Sequence, residues 1–179
     1  AVDAVRVSSL AEGLSCEVTT VSIDGTVTLG EALQICSSRA EGQLITKMDD
    51  DDYYGPEHIW DLVLAREYSG ATIVGKALDW IHLTSSDVTV FRPTYPAEKY
   101  ARFVAGGTIL ISRADLADIG GWRPVPRSVD RALLDTVLDE GGLVYRTHGL
   151  GYIYVRRSSG HTATVRDDHF LKKVAATHE

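Results

Sequence analysis

Apolar and polar positions along this chain change period several times, and each change marks an element. Residues 14–24, LSCEVTTVSID, are rich in β-branched side chains and predict a strand. Residues 28–42, TLGEALQICSSRAEG, predict a helix with Thr28 as N-cap, Leu33, Ile35 and Cys36 as apolar positions, and Gly42 as its end. QLITKM (43–48) is a short apolar strand that runs straight into four aspartates. GPEHIWDLVLAREYSG (55–70) predicts a helix: Pro56 suits its first position, Glu57 complements the dipole, and Gly70 stops it. Ile59, Leu62, Val63 and Arg66 then share one face.

The second half continues the alternation. ATIVGK (71–76) is an apolar strand, and DVTVFRP (87–93) alternates like an edge or hairpin strand. AGGTILISR (105–113) is a strand entered through Gly106 and Gly107, and ADLADIGGW (114–122) is a short helix closed by glycine. SVDRALLDTVLDEGG (128–142) is a helix with Ser128 as N-cap and Leu133, Leu134, Val137 and Leu138 as its stripe. LVYRT (143–147) and GYIYVRR (151–157) read as late strands. There is no repeat, linker or low-complexity tract. This predicts a single α/β domain over 1–179, with a mostly parallel sheet, flanking helices and a mixed edge.

Composition narrows the function more than the fold. A net charge of −7 opposes a nucleic-acid surface built on phosphate neutralisation. No window approaches the roughly 18 apolar residues of a membrane span. Cys16 and Cys36 have neither metal-finger nor disulfide-framework spacing and read as reduced core residues. The expectation is a cytoplasmic protein.

The segment KMDDDDYYGPEHI (47–59) concentrates four carboxylates at the carboxyl end of a strand. Open α/β sheets place ligands there. The run itself contains no Lys or Arg, so a divalent cation is the natural counter-charge. Hard oxygen ligands suit Mg²⁺ or Mn²⁺ shared with phosphate oxygens. An EF-hand does not fit, because its acidic residues alternate and a glycine and a distant Glu complete its loop.

LITKMDDDDYYGPEHIWDLVLA resembles the DXD segment of GT-A glycosyltransferases, especially the family-2-like enzymes. The likeness extends upstream to TLGEALQICSSRAEGQLI. Downstream it takes in VAGGTILISRADLADIGGWRPVPRSVDRALLDTVLDEGGLVYRT and GHT at 160–162, so it covers about residues 20–165. It implies a GT-A-like, Rossmann-related fold and a sugar transfer from a nucleotide-sugar donor to a glycan or other hydroxyl acceptor. Inversion at the anomeric carbon and a Mn²⁺ or Mg²⁺ cofactor are implied with it.

The same resemblance implies the roles. Asp51 is the direct metal ligand. Asp49 reaches the donor ribose, or the metal through water, Asp52 supports donor binding beside them, and Asp50 points away. Asp130 is the general base, although Val129 stands where the family has a Glu, and the dipole of its own helix also accounts for an Asp there. His161 is a late metal ligand, with a hydrogen-bonded loop histidine as the alternative; from their own chemistry, Arg157 and Arg156 either meet diphosphate oxygens or are an ordinary exposed pair. Lys76 faces the site, Gly106 and Gly107 let a sugar approach the backbone, and Trp122 stacks on the acceptor; a bulge and a core tryptophan are the plain alternatives for the last two.

Only residues 1–48 precede the DXD loop, too few for the family's whole nucleotide-binding half. The expectation is an N-terminally incomplete domain with 1–48 on the nucleotide side and 49–179 carrying the DXD loop and acceptor side. Exposed sheet edges would then favour a homodimer. A non-catalytic module that binds a cation or sugar, or acts as a scaffold, is the alternative. VSIDGTV (21–27) resembles a phosphatase loop, but Ser22 stands where that chemistry needs its nucleophilic Asp.

Overall fold

A computed structural model describes residues 14–157 and 167–178. The first element is helix α1 (Leu29–Arg39), and it starts as its sequence predicts. Thr28 accepts from the Glu31 amide while the Glu31 carboxylate reaches back to the Thr28 amide, a complete capping box. Strand β1 (Leu44–Thr46) leads into the aspartates, and β2 (Tyr53–Tyr54) leaves them. Helix α2 (His58–Ser69) ends at Gly70, whose φ of 63° is the left-handed cap that glycine supplies. There follow β3 (Ile73–Lys76), β4 (Trp80–Leu83), β5 (Val88–Phe91), β6 (Lys99–Tyr100) and a 3₁₀ turn at Gly106–Thr108. The chain then forms β7 (Leu110–Ser112), α3 (Arg113–Asp118), α4 (Val129–Asp139), β8 (Val144–Thr147), β9 (Tyr152–Arg156), α5 (Asp167–Phe170) and β10 (Ala176–His178).

The strands form two five-stranded sheets, ordered β1-β7-β3-β8-β6 and β10-β5-β4-β9-β2. Only β3–β8 and β4–β9 are parallel among the described pairs, so both sheets are mixed and the expected mostly parallel sheet is corrected. The physical reason is connectivity. Parallel neighbours need long crossovers, and here β4 and β5 are joined as a tight hairpin while β1 and β3 both pair antiparallel with β7.

The first sheet lies between helices. Ile73 and Ile111 pack on one face with Val129, Leu133, Leu134 and Val137 of α4. Val74 and Leu110, their sequence neighbours, turn to the other face and meet Leu62 and Ala65 of α2. Each fully buried Leu or Ile contributes about 1.5–3 kcal/mol over its exposed state. The buried side of α2 is therefore His58, Leu62 and Ala65, and not the expected Ile59 face; Ile59 is 49% exposed.

Several other expectations change. Residues 14–24 form no ladder, and their β-branched side chains stay largely exposed. Cys16 and Cys36 are exposed rather than core, since Cys36 lies on the outer side of α1. Ser128 precedes α4 in a left-handed conformation, φ 56°, and makes no capping bond. Trp122 is a core residue: it is 4% exposed, and its Nε1 donates to Ser37 Oγ at 2.8 Å, which removes it from acceptor stacking. Among the described residues no helix is long and apolar enough to cross a membrane.

Candidate functional site

The end of the first sheet where β1 stops gathers the chemistry. β7 runs antiparallel to β1, so its entry turn arrives where β1 leaves, fixed by the Lys47 amide donating to Ile109 O at 2.9 Å. β3 ends at the same side, where Thr108 Oγ1 accepts from the Lys76 amide at 2.8 Å. The first turn of α4 supplies Asp130.

The aspartate run has a counter-charge after all. Lys47 is buried at 7% exposure, and its Nζ lies 2.5 Å from Asp49 Oδ1 and 3.4 Å from Asp130 Oδ1. The sequence signal is its position two residues before Asp49 in extended chain, where alternate side chains share a side. Burial would lower the Lys47 ammonium; the Asp130 and Asp49 carboxylates outweigh it and hold it raised. Asp130 is pushed up, chiefly by burial and also by Asp49, against the pull of Lys47. Asp130 Oδ1 takes no hydrogen bond closer than this 3.4 Å contact.

Gly106 and Gly107 allow this packing through missing side chains, not through unusual backbone angles. A Cβ at Gly106 would sit 2.3 Å from Asp130 Oδ2. One at Gly107 would meet Asp49 Oδ2 at 2.9 Å, the Tyr54 hydroxyl at 2.9 Å and Asp52 Oδ2 at 3.0 Å. Asp49, Asp52 and Asp130 thus converge on one backbone turn. The glycines' part in this structure is close approach of carboxylates to backbone.

The four aspartates separate by environment. Asp50 is exposed, while Asp49, Asp51 and Asp52 are half-buried. Asp52 is held by the protein: Tyr152 donates to its Oδ2 at 2.7 Å and the Val155 amide to its Oδ1 at 2.9 Å. Burial nevertheless pushes its carboxyl up to about 6. The Asp49 amide donates to the Tyr54 hydroxyl, which donates onward to Gly107 O at 2.9 Å. Tyr54 and Tyr152, both missed in the sequence reading, therefore set the loop's shape.

Behind this loop, His58 packs its ring 4.7 Å from Tyr54 and lies 1% exposed with neither nitrogen bonded, lowered to about 4 by burial and then by Lys76. Lys76 does not face the aspartates. It is fully buried, with Nζ 2.6 Å from Asp61 Oδ2 and 2.7 Å from Leu150 O. Arg156 lies over the Phe170 ring at 5.9 Å, and Arg157 is exposed at the end of β9. His161 lies outside the described residues.

Among the described residues no three His, Cys, Asp or Glu side chains stand together as a ready metal cage. The donors that fit a hard cation are fewer. Asp51 is half-buried and takes no hydrogen bond or ion pair from the described residues, and Asp49 keeps Oδ2 beyond its bond to Lys47. Two carboxylates completed by phosphate oxygens and water are a normal Mg²⁺ arrangement.

No family model and no curated protein matches the chain. Solved structures do. S. aureus TarS 1-349 in complex with UDP-GlcNAc aligns with a TM-score of 0.62 at 14% identity, over 93% of this chain and 50% of that one. TarS 1-349 in complex with UDP aligns at 0.59 and 13% identity, over 86% and 47%. TarS 1-349 alone aligns at 0.58 and 12% identity, over 85% and 47%. The chain thus spans about half the length of these neighbours. At such identities the likeness shows the fold alone: this chain shares the fold of part of TarS 1-349.

Proposed function

We propose that this chain carries the reaction centre of a metal-dependent glycosyltransferase, which moves a sugar from a nucleoside-diphosphate donor to an acceptor hydroxyl with inversion. One observation carries the reading. Asp130, from α4, and Asp49, from the loop after β1, share Lys47 and close on the same Gly106–Gly107 turn. The residues offered as base and as donor loop therefore meet at one turn.

Each residue then has a task that its setting supports. Asp130, raised by burial, takes the proton of the acceptor hydroxyl as that oxygen attacks the anomeric carbon. The C–O bond to the diphosphate breaks as the new one forms. Asp51 and Asp49 Oδ2 would hold the cation, which when bound neutralises charge on the leaving diphosphate. Lys47 fixes the distance between Asp49 and Asp130. Asp52, tied to Tyr152 and Val155, holds the loop against β9. Arg157 is offered as a diphosphate contact.

The test is thermal stability with Mn²⁺ plus UDP or GDP. A ligand that binds the folded state raises the melting temperature, by about 2.7 kcal/mol of stability at 100 times Kd. Stabilisation that needs both components and is lost in Asp51→Ala is expected. No shift with any cation and nucleotide would remove the metal-site reading. A second reading, a binding module without catalysis, is favoured by Lys47 engaging both carboxylates and by the buried Val129 at the family's Glu position. Donor binding without donor hydrolysis would establish it.

A further inference from the structure

A pocket of about 550 Å³ lies at the end of the second sheet, walled by Tyr53, Tyr54, Trp80, Leu150, Tyr152 and Ile153. Its size is that of small-ligand sites, about 300–1,000 Å³. None of the tasks assigned above uses its interior. Register explains its composition. Tyr53 pairs with Ile153 across β2 and β9. Trp80 and Ile153 each precede the Ile81–Tyr154 pair on β4 and β9, so Tyr53, Ile153 and Trp80 form one row on one face. Phe91 continues the row and backs the Trp80 ring at 4.6 Å.

We propose that this pocket is an acceptor subsite that binds a pyranose ring of a glycan by stacking on Tyr53 and Trp80. The proposal rests on the glycosyltransferase reading for the word acceptor, and on the pocket alone for the sugar. The pocket's rim is wet: Tyr53 is 65% exposed and Leu150 62%. An alkyl chain needs enclosure on all sides, whereas a pyranose needs one apolar face covered and its hydroxyl edges in water. Aromatic rings with a polar tip suit that division. The Tyr53 hydroxyl makes no hydrogen bond with other described residues, so it is available to a sugar hydroxyl.

The pocket also stands at a defined remove from the reaction centre. Tyr54 and Tyr152 alternate with Tyr53 and Ile153 along β2 and β9, so their side chains turn to the opposite face, where their hydroxyls bond Gly107 O and Asp52. The β2–β9 ladder separates the stacked ring from the aspartate loop. A sugar bound there is not the reacting unit but one further along the acceptor, so the acceptor is a chain of sugar units and not a free monosaccharide.

The floor is built to stay open. The fully buried Lys76 holds Leu150 O, and Gly55 N donates to Gly151 O at 2.8 Å, which pins the loop before β9 to the loop after the aspartates. A Cβ at Gly55 would come within 3.1 Å of Gly151 Cα.

The experiment titrates the full chain, without nucleotide or cation, with chitotetraose, maltopentaose, cellopentaose and, as the apolar competitor, decanoate. Calorimetry and tryptophan fluorescence are read together. At least one oligosaccharide is expected to bind with a Kd of about 1 mM, weakened about tenfold in Tyr53→Ala and within about twofold of wild type in Tyr53→Phe. Tyr53 is exposed, so its replacement leaves the fold intact. No binding by any of the sugars up to about 10 mM, equal binding by Tyr53→Ala, or occupation by decanoate in place of sugar would overturn the proposal. Because this readout needs no donor, failed donor hydrolysis with intact sugar binding removes the transferase reading and leaves the pocket. Intact hydrolysis with no sugar binding does the reverse.

Discussion

Replacing Lys47 with Met removes one ammonium from between two carboxylates and keeps most of its volume. In the native protein, Nζ sits 2.5 Å from Asp49 and 3.4 Å from Asp130, with the side chain 6% exposed. At an effective dielectric of about 20, a charge pair at 4 Å is worth about 4 kcal/mol before desolvation. Removing one partner of a buried pair costs about 3–5 kcal/mol, because the remaining charge is left uncompensated. Asp49 is partly exposed, which lowers the figure, while the buried Asp130 keeps it up. We expect a loss of about 3 kcal/mol at pH 7, or about 6–12 °C in Tm for a chain of this size.

The loss also has a sign with pH. Without Lys47, the Asp130 carboxyl loses the group that pulls it down and rises further. A raised acid destabilises only when ionised, so acidification through its folded-state pKa protonates it and restores stability. Urea unfolding of both proteins from pH 4 to 8 reads this directly. The gap between them shrinks as pH falls. A gap under about 1 kcal/mol at pH 7, or one independent of pH, would refute the claim that Lys47 is the counter-charge of this cluster. The variant also frees Asp49 Oδ1, so its Mn²⁺ affinity should rise above that of wild type.

Other outcomes follow from the same geometry. Gly106→Ala drives a Cβ into Asp130 Oδ2, so sugar transfer should drop at least about 100-fold while Tm falls by only a few degrees. Asp52, raised to about 6, and His58, lowered to about 4, oppose each other between those values: on acidification Asp52 regains stability as it is protonated, and His58 loses it because the unfolded imidazole binds protons first. Asp52→Asn should therefore gain stability relative to wild type as pH rises from 4 to 6, and His58→Phe should lose it over the same range, both read by urea midpoints. Trp122→Phe gives up the bond to Ser37 and should cost about 1 kcal/mol without changing acceptor KM. Cys16 and Cys36 should both react with a thiol reagent in the native protein.

What could be read from the sequence was local. The Thr28–Glu31 capping box, the left-handed stop at Gly70 and the α4 stripe all follow from side chains within one or two turns. The aspartate loop at a strand end was legible for the same reason, as was Asp50 as its outward member. Long-range pairing was not. That β7 runs antiparallel between β1 and β3, and that Tyr152, a hundred residues on, grips Asp52, leaves no trace in local periodicity. Trp122 after two glycines stayed open between acceptor stacking and core because its partners, Ser37 and Gln34, lie far back in the chain. Short strands such as β2 and β6, two residues each, carry too few positions to show a period.

The central claim is that Asp51 and Asp130 serve one transfer from a nucleotide sugar. It is tested most directly by release of nucleoside diphosphate from UDP-GlcNAc and related donors in the presence of Mn²⁺. The account predicts measurable release, lowered about 100-fold or more in Asp51→Ala and about tenfold or more in Asp130→Asn. Release from no donor, or release unchanged in both variants, would contradict it.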